Sequence, residues 1–320
     1  MLRLLLLAAA VVQTLEVRPV HAAIDVDGGV GRTARAVRAA VTKHKLDGDV
    51  WLGKLRGVGG RRDTLIYIPH ELDPTQTIDL VVYMEGKSSF ADDAMDHRHA
   101  ASIARLRGNF VYVAPDAPSS AHGYPESGNE HWVAGCAAHT CPGGPAAPGD
   151  FVVFLDAVRA KVARTLASKP EDLDLRVSLI GFSRGGKGVL AALQQLDAVK
   201  FRVSEMPVRI GDVIFADGNY LDNALTDSWR ILAPRPEAPR FTILVESGEF
   251  VDTTEPCRPE EPCNRRRALA FWRAFAPDAP LPTPDRATAA PRMRLIPVAA
   301  GHHAIGDAAV DFLETRRPAA

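Results

Sequence analysis

Apolar residues along this chain fall into short, nearly unbroken runs separated by longer stretches of mixed polarity. Ile78-Asp79-Leu80-Val81-Val82-Tyr83-Met84 and Phe110-Val111-Tyr112-Val113-Ala114 are two such runs. Val177-Ser178-Leu179-Ile180, Val208 to Ala216, Phe241 to Val245 and Arg294 to Val298 are others. They lack the strict polar alternation of a half-exposed strand, so they suit strands covered on both faces. Between them the apolar spacing turns helical, at Asp92 to Arg107, Phe151 to Leu166, the stretch after Gly185, and Ala304 to Thr315. Near the start, Thr33 to Lys45 reads as a basic surface helix. Val50–Leu55 and Thr64–Ile68 read as a hairpin closed by Gly57-Val58-Gly59-Gly60. Buried strands alternating with helices predict an α/β fold, a mostly parallel central sheet with helices on both faces.

One segment breaks this rhythm. Pro115 to Gly149 is rich in Pro, Gly, Ser and His, and a loop of that length inside a compact domain is usually functional or disordered. Trp132 and a pair of cysteines within it point to order and to a place at the rim of a site. The expected organisation is a leader over residues 1–22, a lead-in helix and first strand over 23–62, and one α/β domain over 63–320 containing the 115–149 loop.

Composition narrows the partners. Of 320 residues, 46% are hydrophobic and 24% charged, as in ordinary globular proteins, and the formal net charge is −1. That balance gives no reason to expect nucleic acid or an anionic membrane. The dense basic run Arg265-Arg266-Arg267 is expected on the solvated face of a helix. Arg3, the apolar run Leu4 to Val12 and the small-residue site Val20-His21-Ala22 read as a secretory leader cut after Ala22. The run is too short to span a bilayer, so no stable membrane anchor is expected and the mature chain is placed outside the cytoplasm, secreted or periplasmic. In an oxidising compartment Cys136 and Cys141, and Cys257 and Cys263, are expected to form two disulfides, with all three pairings open. His131, Cys136, His139 and Cys141 cluster in sequence but match no zinc spacing. No metal or cofactor is expected.

The candidate chemistry centres on Gly181-Phe182-Ser183-Arg184-Gly185, between a buried strand and a helix. A sharp strand-to-helix turn forces the serine backbone into an unfavourable conformation, and glycines two residues away leave room for it. The hydroxyl then stands clear of the sheet as a nucleophile. A serine needs a base to take its proton, and Gly301-His302-His303 follows the last strand of the sheet. His302 is the leading base and His303 the alternative. A carboxylate should orient that imidazole. Asp217 ends the strand after the nucleophile helix and leads, Asp252 lies beyond the next strand, and Glu246 and Glu249 are further alternatives. The oxyanion is expected to meet the backbone N–H of Arg184 and another from Gly86 or Lys87.

These residues resemble the α/β-hydrolase family. The Gly181–Gly186 elbow, the strand leading to Gly86, the late Gly301-His302 and the acids between them carry the resemblance from Thr64 onward. Pro115-Asp116, Trp132, the cysteine-bearing loop and the Phe151-led helix look like secreted esterases related to polyhydroxybutyrate depolymerases and feruloyl esterases. In that branch the acid follows the later strand, which points to Asp252. Asp217 to Tyr220 and His302-x-x-Ile305 look more like another group of secreted bacterial hydrolases. Many relatives carry His-Gly where this chain has Glu85-Gly86. The resemblance implies a secreted serine hydrolase acting on a small or polymeric ester, with amides or peptides second. The competing expectation is a non-catalytic secreted binding protein on the same scaffold.

Overall fold

The structure, a computed structural model, describes residues 24–26, 31–56, 61–84, 99–115, 150–183, 185–198, 202–203, 206–207, 209–217, 223–234, 238–247, 264–280, 288–290 and 292–314. Its strands are β1 (Ile24–Val26), β2 (Gly48–Arg56), β3 (Arg61–Pro69), β4 (Ile78–Met84), β5 (Phe110–Pro115) and β6 (Leu175–Phe182). They continue with β7 (Arg202–Val203), β8 (Met206–Pro207), β9 (Arg209–Ala216), β10 (Arg240–Glu246), β11 (Thr288–Ala290) and β12 (Met293–Val298). The helices are α1 (Gly31–His44), α2 (His99–Arg105), α3 (Asp150–Thr165), α4 (Gly185–Ala198), α5 (Asn223–Leu232), α6 (Asn264–Phe275) and α7 (His302–Glu314).

Among the described residues ten strands form one sheet in the order β1-β2-β3-β5-β4-β6-β9-β10-β12-β11, and β7 and β8 pair separately. From β5 to β12 every neighbour is parallel. The hairpin β2–β3, the pair β3–β5 and the edge β11–β12 are antiparallel. The mostly parallel sheet expected from the apolar runs is what forms. β4 and β5 are buried along their whole length. Ile78, Leu80, Val82 and Met84 face a core shared with α3, α4 and α6, while Val81 and Tyr83 face one shared with α1, α2 and α7. Helices on both faces explain why these strands could be apolar along most of their length.

Polar residues in the buried strands hold the register at the amino-terminal edge of the sheet. Asp79 and Arg176 are cross-strand partners and form an ion pair at 2.9 Å, as do Arg240 and Asp212 at 2.6 Å. Asp79 and Asp212 are 4% and 3% exposed. A one-residue slip of either strand would bury an unpaired carboxylate, which is expensive. Between the two pairs, Ser178 Oγ donates to Asp79 Oδ1 at 2.9 Å and accepts from the Asp212 N–H at 3.3 Å. That last bond occupies an irregularity in β9. Val177 pairs with Ile210 but Leu179 with Val213, so Gly211 and Asp212 together oppose Ser178. This is a β-bulge, and it advances the upper half of β9 by one residue.

At the far side of the sheet His70 lies between two carboxylates, with Nδ1 2.7 Å from Asp47 Oδ1 and Nε2 3.2 Å from Asp49 Oδ1. Desolvation pulls its pKa down, but the two hydrogen bonds and the charges of Asp47 and Asp49 outweigh it and the net shift is upward. A raised folded pKa means that stability is gained below the ordinary histidine value and lost as pH rises through the folded one. We expect the stability difference between the native chain and His70→Gln to be about 0.5 kcal/mol below about pH 6.5, since the pair is largely exposed, and to vanish at alkaline pH. Denaturant melts at several pH values measure it, and a difference that grows with pH would contradict the assignment.

Candidate active site

β6 ends at Phe182 and α4 begins at Gly185, leaving Ser183 to make the turn. Its φ is 50°, in the left-handed region that costs a non-glycine residue about 1–2 kcal/mol. Two backbone bonds hold it there. The Ser183 N–H donates to the Ala216 carbonyl at 2.9 Å, and the Gly186 N–H donates to the Ser183 carbonyl at 3.2 Å. The need for glycine at position 181 is steric. A Cβ there would stand 2.8 Å from Gly185 O, Gly186 N and Gly186 Cα, all backbone atoms. Strand and helix therefore approach more closely than any side chain permits, and the half-buried serine sits at the apex.

Asp217 follows β9 in the position beside it. Phe182 pairs with Ala216, so Ser183 and Asp217 stand level at the carboxyl ends of adjacent strands. The bulge at Gly211–Asp212 produces this alignment, because the register below it would set Ser183 against Ala216. Asp217 is also left-handed, with φ 46°, and is 4% exposed. The single peptide group joining Ala216 and Asp217 ties both neighbours together. Its carbonyl accepts from the Ser183 N–H, and its N–H donates to the Leu244 carbonyl of β10 at 2.8 Å. The Asp217 carbonyl accepts from Asn264 Nδ2, at the start of α6, at 3.1 Å.

The next two strands end on the same edge. β10 ends at Glu246, which is exposed, and the Ser247 N–H donates to Val298 O of β12 at 2.8 Å. The expected start of the last helix needs correcting. It was placed at Ala304, but the Ala304 N–H bonds to Gly301 O at 2.9 Å, closing a first turn that carries His302 and His303 into α7. His302 occupies the helical position above Ile305, Gly306 and Ala309, a face buried against the sheet. A Cβ on Gly306 would meet Tyr83 Oη at 2.6 Å and the Phe182 ring at 3.2 Å, so this face packs directly beside the residue preceding Ser183. His303 stands one helical step around.

Parallel strands in this order, with a left-handed serine between strand β6 and helix α4, an acid just after β9, another ending β10, and histidines after β12, form one arrangement. The chain has the α/β-hydrolase fold. No protein-family profile matches the sequence, and no curated protein does. Solved structures similar to this chain include the LpqC poly(3-hydroxybutyrate) depolymerase from Bordetella parapertussis, at 18% identity and TM-score 0.46, covering 89% of this chain and 96% of that one. Poly(aspartic acid) hydrolase-1 from Sphingomonas sp. KT-1 aligns at 15% identity and TM-score 0.49, covering 83% and 97%. The feruloyl esterase module from Clostridium thermocellum aligns at 12% and 0.43, covering 83% and 87%.

Gly86, Lys87, Arg184, Asp252, Glu249, all four cysteines, and the 115–149 loop beyond Pro115 lie outside the described residues, as do Glu85 and Trp132. Among the described residues no three His, Cys, Asp or Glu side chains gather as metal ligands, and no helix is long and apolar enough to cross a membrane. Asn264 went unnoticed in the sequence reading. Its only sequence signal is a polar residue opening a helix, which commonly marks a cap and nothing more.

Proposed function

We propose that this α/β-hydrolase chain is a serine hydrolase that cleaves carboxylic esters through an acyl-enzyme, with Ser183 as nucleophile, His302 as base and Asp217 as the acid that orients it. The observation that carries the reading is the Ser183 backbone. A serine held left-handed at a strand-to-helix turn, where a neighbouring glycine makes room, is costly to keep and useful for presenting a hydroxyl. Asp217 is supported over Glu246 by its burial and by standing level with the serine. His302 is supported over His303 by its place on the buried face of α7.

The chemistry follows from these roles. Ser183 Oγ attacks the ester carbonyl carbon while the imidazole accepts its proton, and the carbonyl π electrons move to oxygen. Backbone N–H groups at Arg184 and in the Gly86–Lys87 loop are assigned to receive that oxyanion. Collapse expels the alcohol, which takes the proton from the imidazolium, and leaves an acyl-serine. Water, deprotonated by the same imidazole, attacks the acyl carbon, and collapse returns the serine and releases the acid. The carboxylate stabilises the imidazolium in both halves. In the reading of an exported protein, the substrate is a small or polymeric ester outside the cytoplasm.

The native protein is expected to label with a fluorophosphonate probe and to hydrolyse p-nitrophenyl butyrate. Ser183→Ala is expected to lose labelling and to slow hydrolysis by about a thousandfold or more. A native protein that neither labels nor hydrolyses any of a panel of acyl, aryl and peptide substrates would leave the proposal without support.

A further inference from the structure

We propose that the ends of β10 and β12 form a subsite for a cationic group of the substrate, with Glu246 as its counter-charge; this deepens the serine-hydrolase reading and rests on Ser183 as the nucleophile. Among the described residues, the carboxyl edge of the sheet is closed along most of its width and open at one end. Met84 and Pro115, which end β4 and β5, and Asp217, which follows β9, are buried. Glu246, Ala299 and Gly301, at the ends of β10 and β12, are exposed. A Cβ on Gly301 would meet nothing within 4 Å, so the space in front of it is free. Backbone bonds hold this opening in shape. Val298 O accepts from the Ser247 N–H and from the Ala300 N–H, both at 2.8 Å. The second bond spans only two residues, so the chain turns sharply at Ala299 before it enters α7.

Glu246 and Val298 are cross-strand partners and so lie on one face of the sheet. It is the face that α7 covers, since Val298 packs against the core that holds Ile305 and Ala309. The Glu246 carboxylate has neither an ion pair nor a hydrogen bond among the described residues. Asp79, Asp174 and Asp212, by contrast, are each held by an arginine. The basic run Arg265 to Arg267 opens α6, which packs on the other face. A carboxylate accepts hydrogen bonds and carries a full negative charge, so the group it favours is a cationic donor, an ammonium or a guanidinium. The small residues Ser247, Ala299 and Gly301 leave room for one. β9 separates β6 from β10, and two strand spacings of about 4.8 Å set the ends of β6 and β10 about 10 Å apart. Allowing for the length of the glutamate, a cation carried about 5–10 Å from the attacked carbonyl reaches Glu246.

The test uses the full chain and two pairs of esters. Butyrylcholine and neohexyl butyrate share a shape, but only the first is charged, on the alcohol side. Nα-acetyl-lysine methyl ester and Nα-acetyl-norleucine methyl ester differ in a terminal ammonium on the acyl side. The ratio of kcat/KM, charged over neutral, is measured by acid release for the native chain, Glu246→Gln and Glu246→Lys, with a thermal melt as the fold control. In at least one pair the native ratio should exceed that of Glu246→Gln by about two- to fivefold, the scale of an exposed ion pair. Glu246→Lys should lower it further. Salt at about 1 M, where charges are screened within about 3 Å, should bring the native ratio down to that of Glu246→Gln. Neutral esters should turn over in Glu246→Gln at the native rate. Equal ratios in the native chain and Glu246→Gln, for both pairs, overturn the subsite and leave the hydrolase reading standing. A folded Glu246→Gln that hydrolyses none of the esters would make Glu246 the acid of the site, which also overturns the subsite. A native chain inactive on all four esters and on p-nitrophenyl butyrate removes the hydrolase reading, and the subsite falls with it.

Discussion

Gly181→Ala is expected to dismantle the serine turn. The added methyl would stand 2.8 Å from three backbone atoms of Gly185 and Gly186, and none of them can rotate aside. Only a separation of β6 from α4 relieves the overlap. Both elements are buried on either side of the turn, so the separation strains the core at a cost of about 1–3 kcal/mol. The larger effect falls on Ser183. Its left-handed backbone is kept by the bond from Gly186 N–H and by the bond to Ala216 O, and moving the helix start breaks the first. With that restraint gone, the residue relaxes toward φ values that an L-residue prefers and the hydroxyl leaves the apex. Fluorophosphonate labelling should slow by about a hundredfold or more, the scale of a displacement of about 1 Å at a reacting group. A thermal melt should register the lost stability. A variant that labels at the native rate would show that the close approach of strand and helix does not hold Ser183 in place.

Gly306→Ala should produce the second-largest effect, from the opposite side of the site. Its Cβ would lie 2.6 Å from Tyr83 Oη and 3.2–3.3 Å from the Phe182 ring. Tyr83 is fully buried in a packed core, so the phenol has no route into water, and α7 must lift from β4 and β6 instead. Overpacking of this kind costs about 1–3 kcal/mol. Because His302 opens α7 one turn earlier, the lift moves its backbone as well, and on the proposed reading it weakens the serine's base. The expected signature is a loss of esterase kcat larger than the loss of stability accounts for, with recovery in the double variant Tyr83→Phe/Gly306→Ala, which removes the clashing oxygen. Unchanged kcat in a folded Gly306→Ala chain would count against the proposed role of His302 at the start of α7.

The two positions differ in how readily the sequence reveals them. Gly181 belongs to a pattern of glycines around a serine, and the reading of a sharp turn there anticipated the backbone that forms. Gly306 sits in an unremarkable stretch, His302-His303-Ala304-Ile305-Gly306, where a helical glycine reads as a weak point. What makes it necessary is a tyrosine more than two hundred residues earlier in the chain. Short elements escaped for a related reason. β1 and β11 have three residues each, too few for a period, and exist because β2 and β12 offer them a partner edge.

The sequence by itself determined the layering and the sharp turn at Ser183. Apolar runs without alternation can be satisfied only between two layers of helices, and a glycine-flanked serine between such a run and a helix reads as a turn that presents a hydroxyl. That Asp217 stands level with that serine was decided only in three dimensions. A bulge at Gly211–Asp212, occupied by Ser178 and tied to Asp79, moves the end of β9 forward by one residue and brings Asp217 level with Ser183. Strand pairing is a relation between distant segments, and one residue of register reverses every side chain above it. No local pattern encodes that step, because its cause lies in contacts across three strands.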